Sequence, residues 1–72
     1  MKPKSSRPRE VERVAFSLGF ALVRQRGSHR LYRHADGRRV TIPFHPGDVV
    51  EPTLRSIIAA LGITIEQFNE IV

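Results

Sequence analysis

The chain has 72 residues, enough for one small domain whose single core buries only about 60% of the surface of the unfolded chain. It contains no cysteine, which excludes disulfide bonds, thiolate zinc sites and a cysteine nucleophile. The net charge is +5, from 12 Lys and Arg residues against 7 Asp and Glu residues.

The positive charge lies mainly in the first half of the chain, where every arginine except Arg55 falls between Arg7 and Arg39. This distribution favours a polyanionic partner, because cations that contact phosphates release condensed counterions; a basic solvated surface is the simpler interpretation. No stretch is apolar for long enough to cross a bilayer, and residues 1–6 lack the hydrophobic segment of a secretory signal. We therefore expect a cytoplasmic protein with no membrane contact.

The first predicted element is a helix that follows a polar start. Residues 1–7 are rich in Lys, Ser and Pro, which predicts a disordered basic tail before a single domain over residues 8–72. From about Pro8, apolar residues recur at i, i+3, i+4 and i+7, and Gly19 follows as a typical helix-ending residue. These apolar positions are Val11, Val14, Ala15 and Leu18.

Three short runs of apolar and β-branched residues then predict three strands, at Phe20–Gln25, His29–His34 and Arg39–Pro43. Asp36-Gly37 is typical of a tight hairpin turn, and the first two strands are joined near Gly27. The three strands therefore form a consecutive antiparallel sheet.

The last third of the chain predicts a loop and two helices. Phe44-His45-Pro46-Gly47 cannot continue a strand, so it forms a stiff loop that carries a histidine. Pro52 fits the first turn of a second helix, which ends at Gly62, and Thr64 opens a short terminal helix through Val72. The apolar stripe of the second helix is Leu54, Ile57, Ile58 and Leu61.

The resulting order is α-β-β-β-α with a short extra C-terminal helix, an α+β fold in which both main helices cover one face of the sheet. We expect Leu31, Val40 and Ile42 to point toward these helices. Alternation along the strands then sends a second set outward onto the open face: Arg30, Tyr32, His34, Arg39 and Thr41. The same alternation puts His29 on the side of Leu31, unless a bulge at Gly27 shifts the register.

The candidate chemistry lies at Gly27-Ser28-His29, which is flanked by arginines. An imidazole transfers protons near neutral pH, and guanidinium groups bind phosphate with forked donors. The acidic residues and histidines lack the spacing of a metal site, so we predict no metal, and Ser28 lacks the G-x-S-x-G turn of an acyl-transfer nucleophile. The flanking arginines are Arg24, Arg26, Arg30 and Arg33.

RNA cleavage fits this set, because it needs a base, an acid and cations, while RNA supplies its own 2′-hydroxyl nucleophile. His29 is the first candidate for proton transfer, and His45 or His34 is the second. Each histidine also has a structural interpretation, as a strand-edge, loop or hairpin residue. A non-catalytic RNA-binding module and a plain protein-interaction domain therefore remain open as alternatives.

Three blocks of sequence, in order, carry a resemblance to a known family. They are Leu18-Gly19-Phe20 leading to Val23–His29, then Arg39–His45, then Thr53–Ile58 ending in Gly62-Ile63-Thr64. Over about residues 11–68 the chain resembles the HicA (YcfA-like) mRNA interferase toxins of prokaryotic HicA–HicB toxin–antitoxin modules. It departs at Pro52, where a glycine is common, and at Phe44, where a polar or basic residue is frequent.

The resemblance implies a double-stranded-RNA-binding-domain-like fold and a ribosome-independent endoribonuclease. Because the residues offer no recognisable metal-ligand set, we expect it to use no cofactor. It implies that His29 is catalytic, with His45 as a supporting acid or base. It also implies a HicB-type antitoxin that covers the active site, and DNA contact only indirectly through that antitoxin. The residues expected to bind mRNA are Arg24, Arg26, Gly27, Ser28, Arg30, Tyr32 and Arg39.

Overall fold

A computed structural model describes residues Met1–Val72. The three strands form one antiparallel sheet in the order β1-β2-β3, and α1 and α2 both pack against β3. This confirms the predicted α+β, double-stranded-RNA-binding-domain-like fold with an extra terminal helix. None of the helices is long and apolar enough to cross a membrane. The elements are α1 (Pro8–Ser17), β1 (Ala21–Arg26), β2 (His29–Arg33), β3 (Arg39–Pro43), α2 (Glu51–Leu61) and α3 (Ile65–Ile71).

The two predicted apolar stripes form the core, as expected. Pro8 occupies the first turn of α1, and the Arg7 N–H donates to Glu10 Oε1 at 2.8 Å, which satisfies one of the free donors at the start of the helix. Gly62 adopts the left-handed conformation (φ 79°) that ends α2. Buried side chains from all the helices meet the sheet: Val11, Val14 and Ala15 of α1, Leu54, Ile57, Ile58 and Leu61 of α2, and Phe68 of α3.

The predicted orientation of β2 is wrong. Tyr32 is fully buried and pairs with Val40, and Arg30 pairs with Ile42, so Arg30 and Tyr32 face the helices. Leu31 pairs instead with Thr41 and takes the outer face. The buried tyrosine is tolerated because its hydroxyl donates to Glu12 Oε2 at 2.5 Å, so this hydroxyl is not left without a partner.

A β-bulge changes the register of β1, and it lies between Leu22 and Arg24 instead of at Gly27. Leu22 pairs with Tyr32, but Arg24 pairs with Leu31, so Val23 is the extra residue. Without the bulge, alternation would turn Arg24 to the same face as Leu22. The bulge therefore places Arg24 and Arg26 on the outer face of the sheet.

Residues 1–7, which composition predicts to be a disordered tail, form ordered contacts in the structure. The Lys4 N–H donates to Asn69 Oδ1 at 2.8 Å, and Asn69 Nδ2 donates to the Lys2 carbonyl at 3.0 Å. Ser6 is fully buried, and its carbonyl accepts from the Val49 N–H at 2.9 Å. Composition does not predict this segment because its partners lie more than forty residues away in the chain.

Because of Tyr32, we expect the fold to become less stable at alkaline pH. Burial, then the hydrogen bond to Glu12 and the charge of Glu12, raise the pKa of Tyr32 well above its usual 10, whereas Arg30 lowers it less. The native state therefore holds this proton more tightly than the unfolded state. We expect the free energy of unfolding to be undiminished below pH 10 and to fall above it, by up to about 1.4 kcal/mol per pH unit.

Urea unfolding across this pH range tests the prediction, with Tyr32→Phe as the control that removes the dependence. Because the chain has one tyrosine and no tryptophan, ultraviolet absorbance follows ionisation of this hydroxyl directly. Ionisation of Tyr32 near pH 10 in the folded protein would contradict the prediction.

Candidate active site at the end of the sheet

His29 is the first residue of β2, and pairing with a strand on each side fixes its position. It pairs with Arg26 of β1 and with Pro43 of β3, and its side chain is exposed. Residues paired across antiparallel strands point to the same face, so His29, Arg26 and Arg24 share the outer face of the sheet. Gly27 and Ser28 form the two-residue turn before His29, and Gly27 has the positive φ (57°) that this turn requires of its first residue.

The loop after β3 brings His45 to the same place. The Phe44 N–H donates to the Ser28 carbonyl at 2.6 Å, which ties this loop to the turn before His29. Ser28 Oγ and His45 Nε2 lie 3.0 Å apart in a hydrogen bond. The ring centroids of His29 and His45 are 6.1 Å apart. Three of the predicted site residues, Ser28, His29 and His45, therefore come together.

A cleft of about 440 Å³ opens beside the two histidines. It lies between the end of β3, the loop that follows it and the first turns of α1 and α2. Its walls combine rigid apolar groups with a few polar ones, which is typical of ligand sites. The lining residues are Pro8, His29, Pro43, His45, Pro46, Asp48, Val49, Val50 and Thr53.

Arg30 and Tyr32 do not belong to the outer face on which they were predicted. Arg30 Nη1 donates to Glu12 Oε2 at 3.0 Å, and its guanidinium carbon lies 3.9 Å from the centroid of the Phe44 ring. Tyr32 donates to the same carboxylate oxygen. Glu12 thus joins α1 to β2, and Arg30 supports the loop that carries His45.

Sequence reasoning missed Glu12, although one signal was present. Pro8, Glu12 and Ala15 share a helix face at i, i+4 and i+7, and all three are buried. An acidic residue in the middle of a buried face needs a cationic or donor partner, because a buried unpaired charge is costly. The identity of the partners, Arg30 and Tyr32, depends on the orientation of β2.

Other predicted residues lie away from the histidines. Arg39 is exposed on the outer face, but it begins β3, whereas Pro43 at the other end of the strand pairs with His29. Four residues of strand separate Arg39 from the site by roughly 13 Å. His34 lies near Phe20, with ring centroids 5.3 Å apart, and its Nδ1 accepts from the Asp36 N–H. No three His, Asp or Glu side chains lie close enough to hold a metal ion.

Comparison with protein-family models matches residues 8–63 to the family described as the HicA toxin of bacterial toxin–antitoxin systems. The chain belongs to the HicA toxin family. A search of curated proteins found no match. The match to the HicA toxin family spans the whole site, from the start of α1 to the end of α2. It confirms the resemblance and identifies the chain as a toxin of a family that works with an antitoxin.

The shared carboxylate gives a stability prediction. Glu12→Ala leaves the guanidinium of Arg30 partly buried without its carboxylate and removes the acceptor of Tyr32. We expect the free energy of unfolding to fall by about 2–4 kcal/mol. Urea denaturation measures the loss.

The matched control is Glu51→Ala, because Glu51 pairs with Arg55 at 3.1 Å but both side chains are more than 40% exposed. We expect this change to cost about 0.5 kcal/mol or less. Equal losses for the two variants would mean that the Glu12 contacts contribute no more than an exposed ion pair.

Proposed function

We propose that this HicA-family toxin is a metal-independent endoribonuclease that cleaves mRNA, with His29 as its catalytic acid or base. The observation that carries the proposal is the position of His29. It is exposed beside Arg24 and Arg26 on one face of the sheet and 6.1 Å from His45, ring centre to ring centre. The histidines proposed for proton transfer therefore lie beside the arginines proposed to bind phosphate.

The reaction needs two proton transfers on one phosphodiester. The 2′-hydroxyl loses its proton to a base and attacks phosphorus, and the bond from phosphorus to the 5′-oxygen breaks as that oxygen gains a proton from an acid. The products are a 2′,3′-cyclic phosphate and a free 5′-hydroxyl. We assign His29 one of these transfers and His45 the other, because the spacing of their rings allows them to flank a phosphate.

The arginines supply charge stabilisation. Arg24 and Arg26 share the face of His29, and forked guanidinium donors offset the negative charge that develops on the phosphate oxygens. Gly27 and Ser28 form the turn beside them, where a phosphate can approach the backbone closely. Arg39 extends the basic face to the far end of the sheet and would contact a more distant phosphate. DNA has no 2′-hydroxyl, so this chemistry selects RNA.

The proposed protein partner is a HicB-type antitoxin, which would make any DNA contact indirect. An uncovered apolar surface on α1 and β1 supports a protein partner. Leu22 and Val23 lie on the edge strand β1, Phe16 of α1 lies against Tyr32 beside them, and all three side chains are more than 40% exposed. Exposed apolar groups on an otherwise basic surface favour protein association. Because mRNA is the substrate, the proposed site of action is the cytoplasm.

The first functional test replaces His29 by alanine. With labelled single-stranded RNA in excess EDTA, we expect the wild-type protein to cleave and His29→Ala to be slower by at least about 100-fold, the usual contribution of one proton-transfer group. His34→Ala is the matched control, because this histidine lies at the other end of β2. Circular dichroism checks that each variant is folded.

Undiminished cleavage by His29→Ala, in a preparation free of host nucleases, would refute the assignment. Loss of wild-type cleavage in EDTA would refute the metal-independent mechanism. RNA retained without fragments would favour a non-catalytic RNA-binding module.

A second test separates His45 from Ser28. If His45 transfers a proton, His45→Ala lowers kcat by at least about 100-fold and removes one limb of a bell-shaped pH–rate profile. Ser28→Ala removes only the hydroxyl that holds the His45 ring, so we expect a smaller loss, about 10-fold, with both limbs kept. A wild-type profile for His45→Ala would show that His45 transfers no proton.

A further inference from the structure

The cleft beside the histidines is larger than phosphodiester chemistry requires. Its apolar walls come from three proline rings, Pro8, Pro43 and Pro46, and from Val49, which is almost fully buried. Prolines hold a fixed backbone shape, so this space is rigid. A flat ring with apolar faces and polar edges matches such walls, and a nucleobase is such a ring.

Asp48 is the unexpected residue of this cleft. Its side chain is exposed and makes no hydrogen bond or ion pair, although the chain carries many arginines. A carboxylate beside a site that receives phosphates repels them, so it opposes RNA binding unless it contacts another part of the substrate. A carboxylate is a pure acceptor, and the partner it requires is therefore a group with N–H donors.

Guanine is the base that satisfies this requirement best. Its N1–H and N2–H lie side by side and match the two oxygens of a carboxylate, whereas the other bases offer one donor group each on that edge. Thr53 also lines the cleft, and its hydroxyl is a group that both donates and accepts. Asp48 and Thr53 together could form hydrogen bonds with the polar edge of the guanine while the prolines contact its faces.

His29 connects the cleft to the basic face. It lines the cleft and also pairs with Arg26 on the outer face of the sheet. A phosphate held by the arginines therefore lies within one nucleotide of the cleft. Resting on the proposed ribonuclease function, we propose that the cleft binds the nucleobase next to the scissile phosphate and that Asp48 selects guanine there.

Cleavage-site mapping tests this proposal. Short single-stranded RNAs, randomised around one position, are cleaved and the fragment ends are sequenced. We expect guanosine to be enriched at one position beside the cut, and Asp48→Asn to reduce that enrichment by roughly 10-fold, as loss of a bidentate contact does elsewhere.

Glu51→Gln is the matched control, because Glu51 is a nearby carboxylate that pairs with Arg55 and does not line the cleft. It should leave the guanosine preference unchanged. The proposal is overturned if the wild-type protein cleaves the pool without guanosine enrichment, or if the enrichment survives in Asp48→Asn.

A binding measurement separates this proposal from the ribonuclease function. His29→Ala protein is titrated with GMP, AMP, CMP and UMP, and the amide signals of Val49, Val50 and Thr53 are followed by NMR. We expect GMP to bind at least about 10-fold more tightly than UMP, and Asp48→Asn to abolish the difference. Selective GMP binding without cleavage by the wild-type protein would refute only the ribonuclease function. Equal binding of all four nucleotides would refute the selection of guanine, and binding of none of them would refute the base site.

Discussion

The fold of the sheet around the site depends on one carboxylate, that of Glu12. It accepts from both Arg30 and Tyr32, so it joins α1 to β2 through two hydrogen bonds in a mostly buried place. A charge at this depth is stable only with such partners. Because Arg30 and Tyr32 must turn toward α1 to reach Glu12, the residues between and beside them turn away. His29 and Leu31 consequently lie on the open face.

The contact between Glu12 and Arg30 also influences the position of His45, through the packing of Arg30 on Phe44. The Arg30 guanidinium that binds Glu12 also lies over the Phe44 ring, next to His45 in the loop after β3. The Phe44 backbone is held in turn by the Ser28 carbonyl. Phe44 therefore has a structural explanation in this chain. Its ring covers Arg30 and fixes the loop.

The elements of the fold could be predicted from local patterns, whereas the orientation of β2 could not. The apolar stripes of α1 and α2, and the apolar and β-branched runs of the strands, predict the bounds of each element to within a residue or two. On β2, however, Leu31 and Tyr32 are both apolar enough to be buried, and the choice between them depends on Glu12, twenty residues earlier. Val23 is a typical strand residue and gives no local sign of a bulge. The hydrogen bond between Ser28 and His45 likewise depends on the path of the loop after β3.

The bulge in β1 also affects how copies of this protein meet each other. An edge strand with exposed Leu22 and Val23 is a template for pairing with a second copy. The bulge interrupts the regular ladder, and antiparallel self-pairing would bring the guanidinium groups of Arg24 and Arg26 against those of the other copy. Repulsion between these charges therefore opposes the pairing of two copies at this edge.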